Sequence, residues 1–397
     1  MNENEKWGVA RKNELMALAS EESPIYVYNE ETLNEIFFDL LSIDLLDLLF
    51  YPVHANAHPK ILTKVFEMDL GFACISTDEI TCVLKDFPEL SPQRILFVPN
   101  QADGKDFECA FRTGVYVVLK RFYPLKAWPN IFKNREIFIG MGMSRDEASY
   151  DACPPEVSPI RDNQSLLDGN TGLFEIENVF DLLSSLEISL KGLYIQPKIH
   201  PPALYDINAI TSFLVKACGQ FPTISTFILK DGIRPPLDRK RGYPDMTLIE
   251  DCLEEIRKIR PQHRLWIEPG EDMVSHAGVL LATVTETGEE NGIPYIRTNA
   301  DMKSLRPDSF HRARHQIVNL TRSDNEKTTV MARIMGQEEA PGTEDDLVKI
   351  SLPVEENDIL LFTNMGSYGA AGNPDSIREG GVSEHYLSAR RICQVKI

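Results

Sequence analysis

Residues 50–62 read FYPVHANAHPKIL. An apolar run from Phe50 to Val53 stops abruptly at His54, Ala55 and Asn56. After His58 and Pro59 the apolar residues return as Ile61, Leu62, Val65 and Phe66, at helical spacing. The stretch reads as a buried strand that ends on a histidine and turns into a helix. The same unit recurs along the chain. LLFYPV, GFACI, RILFVP, VYVVL, EIFIGM, GLYIQ, TFIL and RLWIEP follow one another between residues 50 and 270, most with a polar turn and a helix-like segment behind them. DMTLIEDCLEEIRKIR is one such helix, with Leu248, Ile249, Cys252, Ile256 and Ile259 on one face. Eight strand-then-helix units with strands apolar throughout are what a (β/α)8 TIM-like barrel requires, because both faces of every parallel strand are covered. The fold class is therefore α/β.

Past Gly270 the texture changes to alternating runs, GVLLATVTET, IPYIRTN, HQIVNL, TTVMARIM, DLVKISL and DILLFTN, separated by Gly, Asn, Asp and Pro. They predict an antiparallel β domain over residues 272–397, after a barrel over 31–271. Residues 1–30 hold a strand-like piece of their own, SPIYVYN, expected to join the second domain. Asp146–Asn170 and Pro197–Pro202 read as loops without regular structure.

Composition excludes some functions. The net charge of −19, from 60 acidic against 41 basic residues spread along the chain, makes nucleic acid an unsuitable partner. No run approaches the roughly 20 apolar residues that span a bilayer, and the charged opening MNENEKWGVARKNELM has no signal core, so no membrane is expected and the localisation reads as cytoplasmic. Seven cysteines without a C-x-x-C pair read as reduced thiols, mostly small buried hydrophobes such as Cys74. Neither a disulfide framework nor a metal site is indicated; His54 has only His58 nearby as a candidate co-ligand.

The segments SPIYVYNEETL, FYPVHANAHPKIL, GFACIS, RILFVPN, LWIEPGEDMVSHAGVLLATV, LRPDSFHRARHQIVNL and NMGSYGA, which span nearly the whole chain, resemble diaminopimelate decarboxylase. The resemblance is closest to the form fused to aspartate kinase, and no kinase segment is present. It implies the alanine-racemase-like fold type III of pyridoxal-phosphate enzymes. It also implies a lysine at the position of His54, whose amine forms a Schiff base with the cofactor. An imidazole forms no stable imine, so His54 is expected to be non-functional in that chemistry.

Other positions implied by the resemblance depart in the same direction. Gln196 stands where the family has a histidine stacked on the cofactor ring. The phosphate-cradling glycine run is reduced in ILKDGIRPP to Gly232, followed by Pro235 and Pro236, which have no N–H to offer. Glu268 keeps the carboxylate that pairs with the pyridinium nitrogen and Gly270 is kept, but Glu271 replaces an arginine. The segment that carries a cysteine and a glutamate into the partner subunit's site aligns near Met335 and Gly336, which provide neither. Arg306 resembles a substrate-carboxylate arginine, and Tyr368 the tyrosine that contacts the cofactor phosphate.

The expectation is a diverged pseudoenzyme with a binding or regulatory role, as a homodimer or as a heteromer with a related chain or other protein. His54 reads as vestigial or packed, Lys198 and Lys230 as solvated surface lysines, and Glu268 and Glu271 as loop-exposed acids. No cofactor is expected in that case. The alternative is an active pyridoxal-phosphate-dependent decarboxylase, or a repurposed enzyme, that uses another lysine such as Lys198 or Lys230. A third reading is a non-catalytic small-molecule sensor built around Arg306, Tyr368 and Glu268.

Overall fold

All eight apolar runs between residues 50 and 270 are strands of one closed barrel. The structure, a computed structural model of the 397-residue chain, describes residues 3–144, 182–198, 218–219, 222–230, 247–270, 272–300, 316–322, 328–336, 347–367 and 382–389. After β1 (Ile25–Asn29) come β2 (Leu48–Pro52), β3 (Gly71–Cys74), β4 (Ile95–Phe97) and β5 (Tyr116–Leu119). They are followed by β6 (Glu136–Ser144), β7 (Ser189–Lys198), β8 (Thr226–Lys230) and β9 (Arg264–Glu268). From β2 onward each strand pairs in parallel with the next, and β9 closes onto β2, so the barrel has no open edge.

Alternate side chains fill the interior. Phe50, Ala73, Leu96, Val98, Val118, Phe138, Tyr194, Ile228 and Trp266 form one buried cluster there. Their neighbours Tyr51, Phe72 and Phe97 pack outward in the larger core. The Trp266 ring lies 5.5 Å from Phe50, 5.2 Å from Tyr116 and 5.6 Å from Phe138, a layer of aromatic rings across the barrel. Local signals start the outer helices. Asn29 accepts from the N–H groups of Glu31 and Thr32 to begin Glu30–Leu41, Ser76 caps Thr77–Asp86, and Asp103 and Asp106 form a capping box at Gly104–Thr113.

The second sheet comprises β1 with β10 (Gly278–Glu290), β11 (Ile293–Thr298), β12 (Ile317–Asn319), β13 (Thr328–Met335), β14 (Leu347–Leu352), β15 (Ile359–Phe362) and β16 (Ser383–Leu387). The sheet is mostly antiparallel, as expected, and includes two parallel pairs: β1 runs parallel to β16, and β11 parallel to β13. Both parallel pairs join strands separated by long stretches of chain, which is the condition for parallel pairing. SPIYVYN supplies β1, antiparallel to β10.

Two further expectations change, and the opening residues add helices that the sequence reading did not place. Pro197 and Lys198 do not begin a loop but end β7, in register with Met143 and Ser144 of β6. The β7–β8 pairing stops at Ile195 and Leu229, so the missing N–H of Pro197 breaks no bond on that side. The charged opening folds into helices Glu3–Ala10 and Lys12–Glu21, with Leu15 and Ala19 buried against Val27, Val279 and Leu281. Among the described cysteines only Cys74 is buried; Cys82 is exposed, and Cys109 and Cys218 are half-buried. Asp146–Asn170 lies outside the described residues.

A polar seam joins the second sheet to the first βα unit of the barrel. Buried Asn56 donates from Nδ2 to the Gly366 carbonyl at 2.8 Å and accepts at Oδ1 from the His58 N–H at 2.8 Å. His58 stacks on Tyr386 of β16 at 5.7 Å and meets Tyr28 of β1 edge-on at 5.4 Å. Gly366 donates to the Ser275 carbonyl, and a Cβ at Gly366 would lie 1.9 Å from the Val274 carbonyl oxygen. Truncating Asn56 leaves buried backbone groups without partners, at a cost of about 2 kcal/mol. Asn56→Ala is expected to lower the urea midpoint by that equivalent with little change in m-value, and Gly366→Ala to cost about 3 kcal/mol through overpacking.

Candidate functional site

Strand polarity decides where the candidate residues can meet. His54, Lys120, Lys230 and Glu268 all stand at the C-terminal ends of barrel strands, the end at which barrels of this type carry their chemistry. His54 sits in a single 3-10 turn, Val53–Ala55, just past β2 and four residues beyond inward-facing Phe50. Trp266 is inward, so Glu268, two residues on, is inward as well. Ile228 is inward, so Lys230 is too, and Lys230 and Glu268 are register partners on adjacent strands.

The side chains realise that placement. Lys230 Nζ lies 3.2 Å from Glu268 Oε1, with Lys230 12% and Glu268 1% exposed. The Tyr194 hydroxyl donates to Glu268 Oε2 at 2.8 Å, and Lys230 Nζ lies 6.0 Å from the centroid of the Tyr194 ring. Both oxygens of this carboxylate are engaged. Two expectations are thereby corrected: Glu268 is a buried acid rather than a loop-exposed one, and Lys230 is an ion-paired lysine of the barrel mouth rather than a solvated one. Tyr194, which sequence reading passed over, completes the cluster. The continuous apolar run of GLYIQ gives no sign of it; its inward direction follows only once β7 is placed, with Leu193 and Ile195 packing outward on either side.

His54 is partly buried beside this cluster. Burial, then the charge of Lys230, then that of Lys120, hold its imidazole neutral and bring its pKa from 6.5 down to about 4. Lys120 Nζ donates to Asn100 Oδ1 at 2.7 Å. Gly270 adopts φ +75°, a left-handed conformation that explains a glycine where the chain leaves β9. Gln196 is placed by its backbone in β7, in register with Gly142.

Other candidates lie apart or outside the description. The side chains of Gln196 and Lys198, and Gly232, Glu271, Arg306 and Tyr368 entirely, lie outside the described residues. Met335 ends β13 as a buried side chain, and the Gly336 carbonyl accepts from Arg297 Nη1 at 2.9 Å. His58 belongs to the seam, and no group of three or more metal-ligating side chains occurs among the described residues. A cavity of about 720 Å3 opens at the opposite end of the barrel, lined by Leu48, Leu70, Arg94, Tyr116, Arg264 and Trp266. That is the N-terminal face of the strands, remote from the mouth, and barrels use it for stability.

Comparison with known proteins agrees with the architecture. Residues 43–152 match the family model for the pyridoxal binding domain of pyridoxal-dependent decarboxylases. Diaminopimelate decarboxylase of Neisseria meningitidis serogroup B is 24% identical over 372 residues, covering 88% of this chain and 84% of that protein. The Aquifex aeolicus diaminopimelate decarboxylase is 22% identical over 392 residues, covering 94% and 86%. Among solved structures, Helicobacter pylori diaminopimelate decarboxylase complexed with L-lysine superposes with a TM-score of 0.72 at 19% identity, covering 92% of each chain. The arginine decarboxylase of Paramecium bursaria Chlorella virus gives 0.74 at 14% identity, covering 95% of this chain and all of its own. With its closed barrel, its second sheet and this set of relatives, the chain is a diaminopimelate-decarboxylase-like protein of fold type III, related to the diaminopimelate/ornithine-type pyridoxal-phosphate decarboxylases.

Proposed function

We propose that the chain is a pseudoenzyme: a decarboxylase fold that forms no covalent link to pyridoxal phosphate and acts by binding or regulation, through dimer-type contacts with itself, a related chain or another protein. One observation carries the reading. The strand end at which this chemistry needs a primary amine presents the imidazole of His54, held neutral at the mouth. When bound, pyridoxal phosphate supplies an electron sink for the carbanion left as carbon dioxide departs. The described residues do not fit that group held as in the family. His54 offers no amine, and both oxygens of Glu268 are engaged by Lys230 and Tyr194.

A second reading is an active decarboxylase that uses another lysine, and one observation favours it: Lys230 is an amine 12% exposed at the mouth. Its environment opposes the role. An amine attacks an aldehyde through its lone pair, and a buried carboxylate at 3.2 Å favours the ammonium form, which has none.

Two measurements test the proposal. Pyridoxal phosphate followed by borohydride is expected to leave no reduced adduct on the wild-type chain, and no carbon dioxide is expected from diaminopimelate, ornithine, lysine or arginine. An adduct on Lys198, Lys230 or another lysine of the chain, accompanied by turnover, establishes the second reading instead.

The neutral state of His54 is tested by pH. Its folded pKa, about 4, lies below the ordinary 6.5, so the unfolded chain takes up the proton first as pH falls. The stability tied to neutral His54 is therefore complete above pH 6.5, declines below it and is gone once pH has passed through 4. His276, also lowered to about 4 by burial, acts with the same sign. Glu79, raised to about 7 by burial, acts oppositely, its contribution being lost as pH rises from 4.5 through 7. The difference between wild type and His54→Gln isolates one group. Wild type is expected to lose about 2–3 kcal/mol relative to the variant between pH 6.5 and 4, read from urea midpoints. Parallel curves for the two proteins contradict a neutral His54.

A further inference from the structure

Strand alternation turns Lys230 into the mouth, beside the His54 that the 3-10 turn after β2 places there, and the two do different things. His54 withholds an amine at the end of β2. Lys230 adds a cation at the end of β8, in the stretch ILKDGIRPP where the family carries its glycine run. Building on the pseudoenzyme reading, we infer that Lys230 is a built-in counter-ion for Glu268, standing where a protonated pyridine nitrogen would need to stand, so that pyridoxal phosphate is kept out at two points of the site.

Three features support this role. The carboxylate has no oxygen to spare, because Oε1 faces Lys230 Nζ at 3.2 Å and Oε2 accepts from Tyr194 at 2.8 Å. A second cation hydrogen-bonded to the same carboxylate would approach the ammonium within a few ångströms, where a poorly solvated site leaves like charges strongly repelled. Lys230 also cannot leave cheaply. Its register points it inward, and its departure would strand a carboxylate that is 1% exposed. Finally, its stem occupies space at the mouth, with the ammonium 6.0 Å from the Tyr194 ring centroid. A lysine restored at position 54 therefore meets a site whose carboxylate is already neutralised.

The test uses the full chain in four forms: wild type, His54→Lys, Lys230→Gln and the double variant. Glutamine keeps an N–H donor for Glu268 while removing the charge. Each is mixed with pyridoxal phosphate, followed by absorbance, reduced with borohydride and mapped by peptide mass. The expected result is a reduced adduct at position 54 in the double variant, with affinity at least tenfold above that of His54→Lys, and none in the other two. An adduct as complete in His54→Lys as in the double variant overturns the inference and leaves the pseudoenzyme reading of the wild type standing. An adduct in the wild type overturns both. A double variant that melts cooperatively yet takes no adduct also overturns the inference, because removing the counter-ion has then opened nothing. A measurement on the unaltered protein guards against a variant that fails to fold. Under limited acetylation Lys230 is expected to react at least tenfold more slowly than exposed Lys133, and equal rates overturn its assignment as a buried counter-ion.

Discussion

Closing eight parallel strands into a barrel leaves every second side chain a single destination, the interior, and the rest of this molecule depends on that constraint. It selects Phe50, Phe138, Ile228 and Trp266 as filling. Carried one step further along the same strands, it delivers Lys230 and Glu268 to a common layer at the mouth. The strand that contributes Tyr194 is two positions around from the one that contributes Glu268 when counted through β8, yet the same alternation brings both to the interior. The site is thus a by-product of strand geometry. Its chemistry depends on which residue types occupy positions whose direction is already set.

The barrel does not stand alone. Its first βα turn is tied to the second sheet through Asn56, His58 and Gly366, and strand β1 is held between β10 and β16 far along the chain. The turn that carries His54 is therefore fixed from both sides. Burial and two ammonium groups lower the pKa of this imidazole, and such rigidity preserves that effect, because a small outward movement would hydrate the ring and return its pKa toward 6.5.

Much of this was legible in the sequence. The eight apolar runs fixed the barrel because each is continuous and each is followed by a turn and an amphipathic helix, a pattern that few other folds share. The second sheet was legible as strands but not in its pairing, since parallel partnership between β1 and β16 depends on chain segments hundreds of residues apart. His54 stood out because a polar residue ended an apolar run. Lys230 and Glu268 were misjudged for the opposite reason: charge in a turn-like context reads as solvent exposure unless the period of two is extended past the end of the apolar run. Tyr194 was overlooked because an aromatic residue within a strand reads as packing, and its hydroxyl bond to Glu268 becomes visible only when both strands are placed.

The aromatic layer of Phe50, Tyr116, Phe138 and Trp266 separates the two ends of the barrel, and it has an optical consequence. Trp266 is one of three tryptophans and lies two residues before Glu268, immediately beneath the Lys230–Glu268 pair. Indole emission responds to nearby charge and to the rigidity of the surrounding rings. The protein therefore carries its own fluorescent gauge between the two ends of the barrel, one layer below the Lys230–Glu268 pair and lining the cavity at the base, so that its signal follows charge rearrangement on either side.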